Sequence, residues 1–231
     1  MAVKAVIFDW GGTLTPWHSV DLDALWSGLC EKHFPADEAA SAAARLREAE
    51  IALWLRAKDA HASATLADVA GLAGVTMPPE FWDSFYSEWD PHTYTDPDAA
   101  PLLRELRSRG IRIGVLSNTM WSRSAHERVF ARDELTSLID GAVYTSEIPW
   151  TKPHPEAFRA AMAAIGVDDP ASCLFVGDRP FDDIFGAKRA GMRAVLITNS
   201  DVPGYDGARP DAVITRLSDL PAVLNVPGSA I

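Results

Sequence analysis

The sequence predicts an α/β protein, a doubly wound parallel sheet with an all-helical segment inserted after the first strand. Three observations carry this reading. Short apolar, β-rich runs recur along the chain and alternate with helical patterns, as a parallel sheet covered on both faces requires. Several of the helical patterns stop at a glycine just before the next run, the residue that closes a helix at least cost. Residues 16 to 95 show helical periodicity and no strand signal.

Val3 to Phe8 reads as the first strand and runs directly into Asp9. The helical segment follows. Leu22, Leu25, Trp26, Leu29, Cys30 and Phe34 fall on one helical face. Ala39 to Ala57 is a strong helix former, with Leu46, Ile51, Leu53, Trp54 and Leu55 as its apolar members. Thr65-x-x-Asp68 reads as a capping box with Asp in place of Glu or Gln, and Pro78-Pro79-Glu80 as a helix start. Trp26, Trp54, Trp82 and Trp89 are expected mainly in a core. Hinges near residues 15–19 and 91–97 would divide the chain into an α/β core (1–15 and 96–231) and a helical insertion (16–95).

Beyond the insertion the rhythm returns. Asp98 to Arg109 carries Leu102, Leu103 and Leu106 and ends at Gly110. Ile111 to Leu116 is the second strand, followed by Ser117-Asn118, and Ala142 to Tyr144 a weaker third. Pro155 to Ile165 is a helix stopping at Gly166. Cys173 to Val176 is the fourth strand, followed by Gly177-Asp178. Asp183 to Ala190 is a helix stopping at Gly191, and Ala194 to Thr198 and Ala212 to Ile214 complete the sheet. The tail after Leu224 is expected to fray.

Composition narrows the function. A chain of 231 residues, 48% hydrophobic, can bury a sizeable core. Its net charge of −11 argues against nucleic acid or an anionic membrane as partner, since both demand a basic face. No apolar run is long enough to span a bilayer, and the N-terminus reads as a strand rather than a signal peptide, so cytoplasmic residence is expected. Cys30 and Cys173 stand far apart in apolar stretches, which predicts buried, reduced thiols. None of the six histidines forms a helical zinc pair, so metal chemistry must come from oxygen ligands.

Three apolar runs end in polar residues, Asp9, Ser117-Asn118 and Asp178, and a parallel sheet brings such ends to one crevice. Two carboxylates there repel unless a cation lies between them, and oxygen ligands alone favour magnesium. Gly11-Gly12 removes side chains beside Asp9, so that backbone N–H groups can approach an anion. Ser117 offers a hydroxyl donor, and Lys152 a compact positive charge in a turn shaped by Pro153 and Pro155. Singly, each has an ordinary structural explanation; together they point to a phosphate site.

The motifs that these residues form resemble those of the haloacid dehalogenase-like superfamily, in order and from residue 3 to about 224. Phe8-Asp9-Trp10-Gly11-Gly12-Thr13-Leu14 is similar to the first motif, Leu116-Ser117-Asn118-Thr119 to the second and Lys152-Pro153-His154-Pro155 to the third. The run Val176-Gly177-Asp178 through Asp182-Asp183 to Gly191-Met192 is similar to the fourth. The resemblance implies a Rossmann-like core with a helical cap. It implies Asp9 as covalent nucleophile, Lys152 as its neutralising cation, and Asp183 (or its neighbour Asp182) as the second acid. It further implies Gly12, Ser117, Asn118 and Lys152 at the substrate, and Mg2+ held by Asp9, Asp178 and the Gly11 carbonyl. The expected substrate is a small phosphorylated metabolite, and the expected assembly a monomer or homodimer.

One position departs from the pattern. Where the family's phosphatases carry a second aspartate as general acid and base, this chain has Gly11. Three readings follow. One is a phosphatase whose acid comes from elsewhere, with His18, Asp21 and Asp23 as candidates, or whose substrate has a good leaving group. Another is a carbon–phosphorus hydrolase like phosphonoacetaldehyde hydrolase, using Lys58 or Lys32 for an imine. The third is a binding or regulatory protein that lost turnover.

Overall fold

Residues 2–198 and 202–224 are described by the computed structural model; the tail after Leu224, expected to fray, lies outside them. Ala5–Phe8 forms β1, and all four side chains are buried because helices cover both faces of the sheet. Val6 and Phe8 join one core and Ala5 and Ile7 the other, the period-two alternation of a strand. Five further strands follow: β2 (Arg112–Ser117), β3 (Gly141–Tyr144), β4 (Cys173–Gly177), β5 (Arg193–Ile197) and β6 (Ala212–Ile214). All pair in parallel in the order β3-β2-β1-β4-β5-β6. The order reverses between β1 and β4, which opens a crevice at their carboxyl ends. Asp9 and Asp178 are the residues that follow those two strands.

The helical insertion is observed as four helices between β1 and β2: α1 (Leu22–His33), α2 (Ala39–Ala60), α3 (Leu66–Ala73) and α4 (Phe81–Trp89). Asp21 caps α1 through the Ala24 amide, and Thr65 and Asp68 form the expected reciprocal capping box on α3. These helices bury their own cluster, including Trp26, Leu29, Leu46, Leu53, Val69 and Phe81. Inside it, the Trp26 indole N–H donates to Glu50 at 2.9 Å, so the polar end of a fully buried ring is satisfied. Ile51, Trp54 and Leu55, read as apolar members of α2, are instead exposed; the helix packs on α1 and α3, and only the face bearing Leu46 and Leu53 meets them. The four tryptophans also divide. Trp26 is core, Trp82 packs at its edge, and Trp54 and Trp89 line a cavity.

Backbone hydrogen bonds fasten this segment to the sheet. The Asp96 amide donates to Leu14 O at 2.8 Å, joining the two crossing strands of chain. Leu66 N donates to Met120 O, Ser63 N to Pro149 O and Thr151 N to His61 O, so the α2–α3 turn lies on the loop that leads to Lys152.

The remaining helices are α5 (Ala99–Ser108), α6 (Arg123–Arg132), α7 (Pro155–Ala164), α8 (Gly186–Arg189) and α9 (Leu220–Leu224). The helix expected over Asp183 to Ala190 differs. A wide π-type turn spans Pro180–Phe185, with Ile184 N reaching back to Arg179 O, and only then does α8 begin. Cys30 and Cys173 are buried free thiols, and burial pushes each up to about 11. Among the described residues, no helix is long and apolar enough to cross a membrane.

Candidate active site

Asp9 leaves β1 with its amide bonded to Val176 O at 2.9 Å, so the neighbouring strand fixes its backbone. The turn after it closes tightly, Gly12 N donating to Thr15 O at 2.7 Å and Thr15 N to Trp10 O at 2.9 Å. Gly12 has φ +87°, and a Cβ there would collide with the Asp178 carboxylate. Both facts require glycine. Its amide is engaged within the turn; its structural contribution is the close approach of Asp178 to Asp9. A Cβ on Gly11, by contrast, would meet nothing within 4 Å.

Lys152 is 2% exposed, and its ammonium donates to Asp9 Oδ1 at 2.6 Å and to Asp183 Oδ1 at 2.7 Å. The loop that presents it, whose Lys152–Pro153 peptide is cis, is clamped by Asn118. The Asn118 Oδ1 accepts from Lys152 N at 2.8 Å and its Nδ2 donates to Lys152 O at 3.1 Å. Asn118, expected at the substrate, lines the cavity and also holds the lysine loop. Ser117 ends β2 and is 3% exposed. Asp183 is fully buried, and its other oxygen accepts from Arg179 N at 2.9 Å. Of the two adjacent acids, Asp183 contacts Lys152, while the half-buried Asp182 lines the cavity beside it.

The electrostatics follow from burial. Burial works against the Lys152 charge, yet Asp183 and Asp9 outweigh it and hold the ammonium above the ordinary lysine range. Burial pushes Asp183 up to about 8, with Lys152 opposing and Asp9 and Asp178 adding to the rise. Burial also raises Asp182. Carboxylate oxygens of Asp9, Asp178 and Asp183 lie within 4.8 Å of one another. Three carboxylates and one ammonium sum to a formal −2 in a buried space. Such a site takes up a proton or a divalent cation, and an all-oxygen donor set suits a hard one. A divalent metal therefore fits.

Above this floor lies a cavity of about 950 Å³, lined by Asp9, Gly11, Gly12, Ser117, Asn118 and Lys152 at its base and by α2, α4 and several aromatic rings higher up. His18 lines it; Asp21 and Asp23 do not, the first capping α1 and the second pairing with Arg47 at 2.8 Å. Lys58 lines it and Lys32 does not. Sequence reasoning missed Trp10, Trp121 and Arg179 as lining residues. Trp10 and Arg179 lie inside recognised motifs and Trp121 two residues after one, and that placement was the available signal.

Comparison with known proteins agrees with this geometry. The sequence model of the haloacid dehalogenase-like hydrolases matches residues 3–191. A phosphatase of Mycobacterium tuberculosis is 39% identical over 57% of this chain and 57% of its own length. A phosphonoacetaldehyde hydrolase of Pseudomonas paraeruginosa is 30% identical over 58% and 57%. The chain thus spans little more than half the length of these curated relatives. Among solved structures, a phosphatase of the same superfamily from Thermococcus onnurineus superposes with a TM-score of 0.70 at 23% identity, covering 99% of this chain and all of the other. The L-2-haloacid dehalogenase of Xanthobacter autotrophicus gives 0.64 at 23%, again over 99% and 100%. With the family's motifs gathered at one sheet edge and its model matched along most of the sequence, the chain belongs to the haloacid dehalogenase-like hydrolases.

Proposed function

We propose that this protein is a magnesium-dependent phosphatase of small phosphorylated metabolites, with Asp9 as the nucleophile that accepts the phosphoryl group. The observation that carries the reading is the Lys152 ammonium between Asp9 and Asp183, buried beneath the large cavity. An Asp9 oxygen attacks phosphorus, the bond to the leaving oxygen breaks, and water later hydrolyses the acyl phosphate, returning Asp9 as a carboxylate. Lys152 balances charge that builds on nucleophile and phosphoryl oxygens, a preorganised cation in a dry site. Asp183 is a positioning residue for Lys152, and Ser117 donates its hydroxyl to a phosphoryl oxygen. Asp9, Asp178 and the Gly11 carbonyl would hold Mg2+, which when bound supplies charge neutralisation between nucleophile and phosphate. Residues 16–95 act as a cap hinged at both ends, over a core of 1–15 and 96–231. The buried reduced thiols fit a reducing compartment such as the cytoplasm.

Gly11 offers no acid for the leaving oxygen, so substrates that leave unaided, acyl phosphates above all, are favoured. Acetyl phosphate and p-nitrophenyl phosphate should be hydrolysed with magnesium, and Asp9→Asn should abolish this. Turnover that survives Asp9→Asn would remove the reading.

A second reading rests on Lys58. It lines the cavity, and one relative is a phosphonoacetaldehyde hydrolase. Its amine would condense with an aldehyde, losing water, and borohydride would reduce that imine to a stable secondary amine. Phosphonoacetaldehyde with borohydride should then mark Lys58; an unmodified Lys58 would exclude it.

A further inference from the structure

Five of the chain's eight tryptophans line the cavity above Asp9, together with Phe85, Phe181 and Tyr205. They do not form a uniform apolar lining. Trp10, the residue after the candidate nucleophile, stands 5.6 Å from Trp121, and Trp121 stands 5.6 Å from Trp89 and 6.1 Å from Phe85 on α4. The rings touch at steep angles, 57° for Trp10–Trp121 and 74° for Trp121–Trp89, and together make a faceted aromatic wall from beside Asp9 to the helical segment. Elsewhere in the lining, Phe181 and Tyr205 meet edge to face at 4.9 Å, and the Arg179 guanidinium lies 5.1 Å from the exposed Trp17 ring.

The wall is held from behind. Trp121 N donates to Thr119 Oγ1 at 2.9 Å, and Ser146 Oγ donates to Trp121 O at 2.6 Å. His126 sits edge-on to Trp10 at 4.5 Å and stacks on Tyr144 at 4.4 Å. Ring surface fixed in advance costs little further ordering when a planar molecule settles on it. Some polar groups of the upper cavity are already engaged. Glu50 is already occupied by Trp26 and Arg47, and His18 and His92 pack on each other at 5.5 Å. Lys58 is the one lysine or arginine in the described lining besides Lys152 and Arg179, too little for a second phosphate.

We propose that the cavity selects a phosphorylated molecule with a planar aromatic body, whose ring packs against the faces and edges of Trp10, Trp121 and Trp89 while its phosphoryl group meets Asp9. This rests on the phosphatase reading and adds a substrate class to it.

The test separates the two. Three phosphonates with equal charge, 2-(naphthyl)ethylphosphonate, 2-(cyclohexyl)ethylphosphonate and ethylphosphonate, are titrated calorimetrically into the wild-type protein with magnesium. The naphthyl compound should bind on the order of tenfold more tightly than the cyclohexyl one, since stacking adds to simple burial, and the ethyl compound should be weakest. Trp121→Ala should bring the naphthyl and cyclohexyl constants close together, an effect that a purely structural tryptophan would not produce. Should Trp121→Ala fail to fold, Trp121→Leu and Trp89→Leu serve, since leucine keeps apolar bulk and removes the ring. These should narrow the same ratio. Equal affinities for the naphthyl and cyclohexyl compounds in the wild type, or a ratio unmoved in every folded variant, would overturn the aromatic proposal. Absence of acetyl phosphate hydrolysis would instead count against the phosphatase reading, leaving the affinity ratio to be judged separately.

Discussion

The carboxyl edge of the sheet and the helical segment above it are built by opposite rules. At the edge, a few charged groups are buried almost completely and fix one another: Lys152 between Asp9 and Asp183, Asn118 on the lysine backbone, Gly12 beneath Asp178. In the segment from α1 to α4, an apolar cluster carries the structure and aromatic faces are left toward the cavity. Charges in a low-dielectric site tolerate no displacement, whereas ring surfaces can be exchanged for other apolar surfaces with modest loss. Under the proposed function, chemistry belongs to the edge and selectivity to the wall.

The sharpest way to break this division is Lys152→Met. It leaves three buried carboxylates without their ammonium, so acetyl phosphate turnover should fall about a thousandfold or more. Metal-free stability in a urea melt should drop by about 3–5 kcal/mol, the range for breaking a buried pair. Turnover near the wild-type rate would show that the edge does not work as described. Gly11→Asp should act in the other direction. The site has room for the side chain, and an added acid should raise alkyl phosphate turnover roughly 10²–10⁴-fold while changing acetyl phosphate little. An equal effect on both substrates would mean that leaving-group protonation is not what Gly11 lacks.

Asn118→Ala removes both hydrogen bonds to the Lys152 backbone and should lower kcat roughly tenfold, as expected from losing about 1–2 kcal/mol of positioning. Steady-state kinetics reads this, and a change confined to KM would instead return Asn118 to substrate binding. The remaining effects are in pH. Burial, helped by Arg123, pushes His126 down to about 3, so the folded protein keeps it neutral. The unfolded chain binds a proton there below about 6.5, hence stability should be full above that pH and decline as pH falls toward 3. Asp183 should bend the metal-free profile the opposite way. Burial raises its folded pKa above the unfolded value, so its contribution is complete below the unfolded pKa and lost as pH rises through the folded one. Urea melts of wild type and His126→Phe, in chelator, separate the two arms; a His126→Phe profile with the same acid slope would refute the first.

The edge was legible in the sequence because its chemistry is local: a strand runs out and a polar residue follows, at Asp9, Ser117 and Asp178. The sheet and the four inserted helices were readable for a similar reason, their periodicity being dictated by burial. What escaped depended on contacts between distant residues. Asn118 and Lys152 lie 34 positions apart, and no spacing announces their clamp. That Asp183 rather than Asp182 meets Lys152 depends on a π-type turn that buries Asp183. Ile51, Trp54 and Leu55 look like core in any hydrophobic pattern, yet all three lie exposed on α2, away from the face that packs on α1 and α3. The aromatic wall combines Trp10, Trp121 and Trp89, which only the folded chain brings together.

Asp9 as the phosphorylated residue is the centre of the account, and direct labelling tests it. Wild-type protein mixed with magnesium and acetyl phosphate, quenched in acid during turnover and mapped by peptide mass, should carry one phosphoryl group on the peptide containing Asp9. Chelator should remove the label, and Asp9→Asn should never acquire it. Steady turnover with no label on that peptide, or hydrolysis undiminished in Asp9→Asn, would contradict the account.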